Sequence, residues 1–97
     1  MRLAFHPGIA SDISQIMNYY EAVGSPRLAK EFYEEFRRTA QRATVSPEHH
    51  AVRAHDLRRA NLERFPYHFL FRIAGDEVRI LVVRHNRRHP RVGTSRR

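Results

Sequence analysis

Residues 67–85 leave little freedom to the fold. Tyr67–Ile73 and Glu77–His85 are rich in aromatic and β-branched residues, and Gly75-Asp76 between them is a hairpin turn signal, so the two runs read as an antiparallel strand pair. With Gly75-Asp76 as the loop, Ile73 faces Val78, Phe71 faces Ile80, Phe69 faces Val82 and Tyr67 faces Arg84. This register gathers most apolar side chains on one face, and a one-residue slip would scatter them. The opposite face then carries His68, Leu70 and Arg72 against Val83, Leu81 and Arg79, with His85 just beyond. Arg72 stands across from Arg79, and like charges in facing positions destabilise a sheet by up to about 1 kcal/mol. Either the two splay into water or pair with Asp76 and Glu77, or an anionic ligand offsets the repulsion.

The apolar face needs a cover, and the first half of the chain supplies it. Ile9, Ile13, Ile16/Met17 and Tyr20 recur at helical spacing with Asp12 and Gln15 off that stripe, and Val23-Gly24 ends the helix. Ser25-Pro26 offers an N-cap followed by proline at the first helical position. Leu28, Phe32, Phe36, Ala40 and Ala43 then mark a second amphipathic helix, which ends before Ser46-Pro47. Met1–His6 reads as a short strand stopped by Pro7-Gly8, and a short strand is expected around Ala51–Ala54. The expectation is one α+β domain over residues 1–97, an N-terminal strand and an antiparallel helix hairpin packed on one face of a small antiparallel-rich sheet. From about residue 89, Pro90, Gly93 and several basic residues give the composition of a tail free to move.

Ten aromatic residues, counted as Phe and Tyr, and 41% apolar content provide enough core for a chain of 97 residues. The absence of cysteine excludes disulfides and thiolate metal sites and fits a reducing cytoplasm. No apolar run approaches the roughly 18 residues of a membrane span, so a cytoplasmic protein with no membrane partner is expected. Charge is segregated. Residues 1–52 balance six basic groups against six acids, whereas residues 53–97 hold twelve arginines and only Asp56, Glu63, Asp76 and Glu77, so the net +8 lies wholly in the second half. High-GC coding explains arginine in place of lysine but not this segregation, which reads as a surface for an acidic or polyanionic partner.

Several fragments in order resemble the RelE/ParE superfamily of toxins from type II toxin–antitoxin systems. They are Arg58-Arg59 before Leu62, Phe65-Pro66-Tyr67 opening a strand, the Gly75-Asp76 hairpin, and Val82-Val83-Arg84-His85 running into Asn86-Arg87-Arg88-His89-Pro90. Ala10, Asp12, Ile13, Ile16 and Tyr19 in the first helix, and Pro26, Ala29 and Phe32 in the second, agree with it. The resemblance covers nearly the whole chain. It implies the element order strand, helix, helix and three strands, and a cytoplasmic toxin neutralised by a cognate antitoxin, with DNA contacted only through the antitoxin. The ribosome-dependent RNases of the superfamily often place a Tyr, His or Lys near the C-terminus, but here no tyrosine follows Tyr67 and no lysine follows Lys30. The Phe-Pro-Tyr opening looks more like the ParE-like (plasmid stabilisation) members, known for poisoning DNA gyrase.

Two mechanisms follow. A binding toxin needs no catalytic group and would use basic residues, with Arg58, Arg59, Arg72, Arg79, Arg84, Arg87, Arg88 and Arg91 as candidates for target or antitoxin contact. An mRNA interferase acting on ribosome-bound message would need an acid, a base and cations. His68 and His85, placed diagonally on one face by the proposed register, could flank a scissile phosphate, with Arg72, Arg79 or Arg87 stabilising its charge. Seven histidines in so short a chain would also place some pair together by chance. No metal or other cofactor is expected, because the histidines show no ligand spacing.

Overall fold

A computed structural model describes residues 1–97, the side chain of Ala54 excepted. Strand β1 (Arg2–Phe5) leads through Pro7-Gly8 into helix α1 (Ile9–Val23), followed by helix α2 (Pro26–Val45) and a single 3₁₀ turn over Pro47–His49. Strands β2 (Val52–Ala54), β3 (Leu57–Asn61), β4 (Tyr67–Ala74) and β5 (Glu77–His85) complete the chain's regular elements. The sheet order is β1-β5-β4-β3-β2, antiparallel throughout except for β1, which runs parallel to β5. This is the expected α+β fold with one strand more than the resemblance implied. Strand β3 carries only Leu57 and Ala60 as buried positions, flanking the pair Arg58-Arg59, and such a segment shows little alternation to read.

The helix hairpin forms where the sequence places it. Ser25 Oγ accepts the Leu28 amide at 3.1 Å, with Pro26 opening α2, and this side-chain cap satisfies one amide that the helix itself leaves unbonded. Ile9, Ile13 and Ile16 of α1 and Phe32, Phe36, Ala40 and Ala43 of α2 pack on the face of the sheet bearing Phe69, Phe71, Val78, Ile80 and Val83. Phe32 meets Phe65 edge to face at 5.4 Å and Tyr67 at 5.4 Å, and Phe36 meets Phe69 at 5.7 Å. Glu35 of α2 reaches across to accept the amides of Glu63 and Arg64, which ties the β3–β4 loop to the helices.

The expected register holds for Ile73↔Val78, Arg72↔Arg79 and Phe71↔Ile80 and then slips. A β-bulge at Leu81 moves the remaining pairs to Leu70↔Val82, Phe69↔Val83, His68↔Arg84 and Tyr67↔His85. Val82, assigned from sequence to the helix face, therefore joins Leu57, Leu70 and Leu81 in a small second cluster on the other face, and Val83 takes its place under the helices. A bulge sets two residues of one strand against one of its neighbour, so every side chain beyond it changes face. Among the described residues no helix is long and apolar enough to cross a membrane.

A candidate protein interface on the second face of the sheet

Beyond Ile80, where β1 ends, two backbone groups of the bulged stretch of β5 find partners from distant parts of the chain. The Val83 amide donates to Asp12 Oδ2 at 3.0 Å, and the Leu81 carbonyl accepts from Arg96 Nη1 at 3.1 Å. Arg96 in turn grips both Asp12 oxygens, at 2.7 and 3.1 Å, in a fork geometry that suits a guanidinium and a carboxylate. Asp12, off the apolar helix stripe as read from sequence, is thus the post to which α1, the bulge and the C-terminal segment are fastened. Gly8 lies flat against this guanidinium, where a Cβ would come within 2.5 Å of Arg96 Cζ. Asp12→Ala leaves the Val83 amide and Arg96 without their acceptor, and is expected to destabilise the fold by about 1.5–3 kcal/mol in a denaturant melt. A change under about 0.5 kcal/mol would show that the clasp contributes little.

The clasp explains the course of the chain after β5. Residues 90–96, read from sequence as able to move, lie folded over the second face. Gly93 has φ +78° and sits so close to Val82 that a Cβ would approach its side chain to 2.4 Å, so both backbone angle and space call for glycine. Arg84 holds the same segment from below. Its Nη1 donates to the carbonyls of Pro90 and Val92 at 2.6 and 2.8 Å, and its Nε donates to His68 Nε2 at 2.9 Å. With Nε2 accepting, His68 carries its proton on Nδ1 and donates it to Asn86 Oδ1 at 2.8 Å. Burial is the main influence on this imidazole, and with Arg59, Arg84 and Arg53 nearby its pKa is lowered to about 4 even though the Asn86 bond favours the cation.

The sequence-derived candidates are dispersed by this geometry. Arg59, Arg72, Arg79 and Arg84 share the second face with His68 and Leu70. Arg58 pairs with Phe71 and so lies on the helix side, where it donates to the His50 carbonyl at 2.7 Å. Arg84, a candidate for target or antitoxin contact, is buried. Arg87, Arg88 and Arg91 are exposed beyond the end of β5. His68 and His85, expected on one face, lie on opposite faces because of the bulge, and the His85 ring packs against Tyr67 at 5.1 Å. Arg72 and Arg79 do face each other, but neither pairs with Asp76 or Glu77, whose carboxylates are taken by Arg2 at 3.1 and 3.7 Å. Arg72 donates instead to the His55 carbonyl and Arg79 to that of Arg97. Among the described residues no three metal-binding side chains converge.

Between β3 and the folded-back segment runs a groove of about 280 Å³, lined by Arg53, Leu57, Arg59, Leu70, Arg84, Pro90 and Thr94. A larger cleft of about 440 Å³ opens where α1 meets the end of β5, lined by Tyr19, Tyr67, His85, Arg88 and the Asp12–Arg96 pair among others. Arg53, Asp12, Asn86 and Arg96 were not singled out as site residues from sequence. The partners of Asp12, Asn86 and Arg96 are remote in the chain, and only the excess of arginine after residue 52 signalled that some of these groups would act together.

With a helix hairpin on one face of the sheet and a basic second face, comparison with known proteins becomes decisive. The family model described as the ParE toxin of the type II toxin–antitoxin system parDE matches residues 3–90. The chain belongs to this ParE family. It is the toxin of a ParDE-type system, in which a cognate antitoxin is the partner. A solved chain of the chromosomal ParDE TA system from P. aeruginosa has the same fold, with a TM-score of 0.79 and 24% identity over 88% of this chain and 95% of that one. No curated protein sequence matches.

Proposed function

We propose that this ParE-family toxin arrests growth by docking on DNA gyrase, that it does so without cutting RNA, and that its antitoxin neutralises it by lying along the second face of the sheet. The observation that carries the choice of mechanism is the state of His68. Its basic nitrogen accepts a bond from Arg84, its other nitrogen is spent on Asn86, and it is buried. A general acid or base needs a lone pair or proton within reach of substrate, and His85, the other candidate, stands on the opposite face. The resemblance to gyrase-poisoning ParE members supports the same choice. Arg87, Arg88 and Arg91, exposed together after β5, form the charged part of the target surface, while Arg59, Arg72 and Arg79 face the antitoxin.

Induction of the toxin in cells, followed by mapping of RNA ends and a supercoiling assay with purified gyrase, tests this reading. Inhibited supercoiling with intact messages is expected, and replacing Arg87, Arg88 and Arg91 together by alanine should abolish growth arrest while His85→Gln leaves it. Cleaved messages with normal supercoiling would establish the interferase in its place.

A further inference from the structure

The groove between β3 and residues 90–94 is lined by arginine, and among the described residues no carboxylate lines it. Arg53, Arg59 and Arg84 line it over an apolar floor of Leu57 and Leu70, with Pro90 at its side, and among the described residues none of the three takes part in a salt bridge. Arg84 is only 9% exposed, and among the described residues its Nη2 has no hydrogen-bond partner although Nε and Nη1 are both used. Arg59 spends only Nε, on Asn61 Oδ1 at 2.8 Å. Burial, and then the cation of Arg53, lower the pKa of Arg59, while burial, and then Arg59, lower that of Arg84. Three neighbouring cations, one of them with an unpaired donor nitrogen open to the groove and no carboxylate beside it, form a concentration of positive charge that attracts an incoming anion.

The size and lining of the groove narrow the identity of that anion. Among the described residues no aromatic side chain lines it, so a nucleobase finds no stacking platform there. Its floor suits a short aliphatic stem, and its rim suits the planar two-oxygen head of a carboxylate, which a guanidinium holds in a fork. We propose that the groove is the socket for one glutamate or aspartate side chain of the antitoxin segment, held by Arg53, Arg59 and the spare nitrogen of Arg84. The proposal rests on the reading of the second face as the antitoxin surface and adds a single anchoring carboxylate to it. Residues 90–94 form one wall of the socket, so the clasp between Asp12 and Arg96 also shapes it.

The test uses the full-length toxin and the antitoxin encoded beside it, with each acidic residue of the antitoxin changed in turn to its amide. One position is expected to weaken the complex by about ten- to a hundredfold, the scale of a lost charge-assisted bond pair. That loss should largely vanish when the toxin carries Arg53→Gln and Arg59→Gln, because the two changes remove the same contact. Arg53 is exposed and Arg59 partly so, and circular dichroism at neutral pH checks that the variant is folded. Wild-type affinity in the Arg53→Gln, Arg59→Gln variant would overturn the socket while leaving the antitoxin surface standing. Failure of the wild-type toxin to bind the antitoxin at all would overturn both. Tighter binding of a single-stranded RNA that depends on the same two arginines would assign the groove to nucleic acid and overturn the proposal as well.

Discussion

Truncating Phe71 to alanine is expected to destabilise the protein by about 3–5 kcal/mol, the range for removal of a large aromatic side chain from a packed core. Phe71 is fully buried at the middle of β4, between Arg58 of β3 and Ile80 of β5. Its ring packs 6.0 Å from Phe69 and edge to face with His50 at 5.4 Å, so its loss opens a void under both the helices and the Pro47–His49 turn. The neighbours on the strand are held by the ladder and the helices by their own hairpin, so the cavity has little means of collapse. A chain of this size has a total stability of roughly 5–10 kcal/mol, and the variant should therefore be partly unfolded near physiological temperature. Urea denaturation followed by circular dichroism measures the difference. A shift below about 1 kcal/mol would mean that Phe71 is not a core residue in solution.

Phe71 was also where sequence reasoning was strongest, and the reason is physical. From Ile73 to Phe71 and from Val78 to Ile80 apolar and polar residues alternate, and alternation is the signal of a half-buried strand. From Ile80 to Val83 four apolar residues follow one another, so parity carries no information and a bulge leaves no trace. The two groups that stabilise the bulge, Asp12 and Arg96, lie near opposite ends of the chain. Helix boundaries were legible because Ser25-Pro26 and Val23-Gly24 act locally. Strand β3 was not, because its residues take their conformation from β2 and β4 rather than from their own pattern.

The second face shows the same limit. Segregation of arginine after residue 52 announced a basic surface, and the facing of Arg72 and Arg79 was visible in the register. Which arginines remain available was not. Arg84 is absorbed into the fold by three hydrogen bonds to His68, Pro90 and Val92, whereas Arg53, outside the most regular strands, emerges as part of the groove. A single slip of register turned the expected pair of histidines into one buried structural acceptor and one partner for Tyr67. A candidate site drawn from strand parity is only as good as the least patterned residue between its members.

His68 also makes the fold sensitive to acid. Its folded pKa is lowered to about 4 from an ordinary 6.5, chiefly by burial. Between these values the unfolded chain binds a proton at His68 that the folded chain refuses, so stability must fall as pH falls through this window and is fully present above about pH 6.5. At about 1.36 kcal/mol per unit of pKa difference, the loss on reaching pH 4 is on the order of 3 kcal/mol. His50, whose pKa is lowered mainly by burial, adds in the same direction. The structural route of failure is specific. A protonated His68 can no longer accept from Arg84 Nε, two cations then sit side by side, and Arg84 loses its hold on the carbonyls of Pro90 and Val92. Residues 90–96 should therefore lose amide-exchange protection early as pH is lowered. Equilibrium urea melts at pH 7, 5.5 and 4 measure the effect, with His68→Gln as the control. That variant starts from a lower stability at pH 7 because the paired acceptor is altered, but it should show a much shallower decline between pH 6.5 and 4. Equal slopes for the two proteins would place the acid sensitivity elsewhere in the chain.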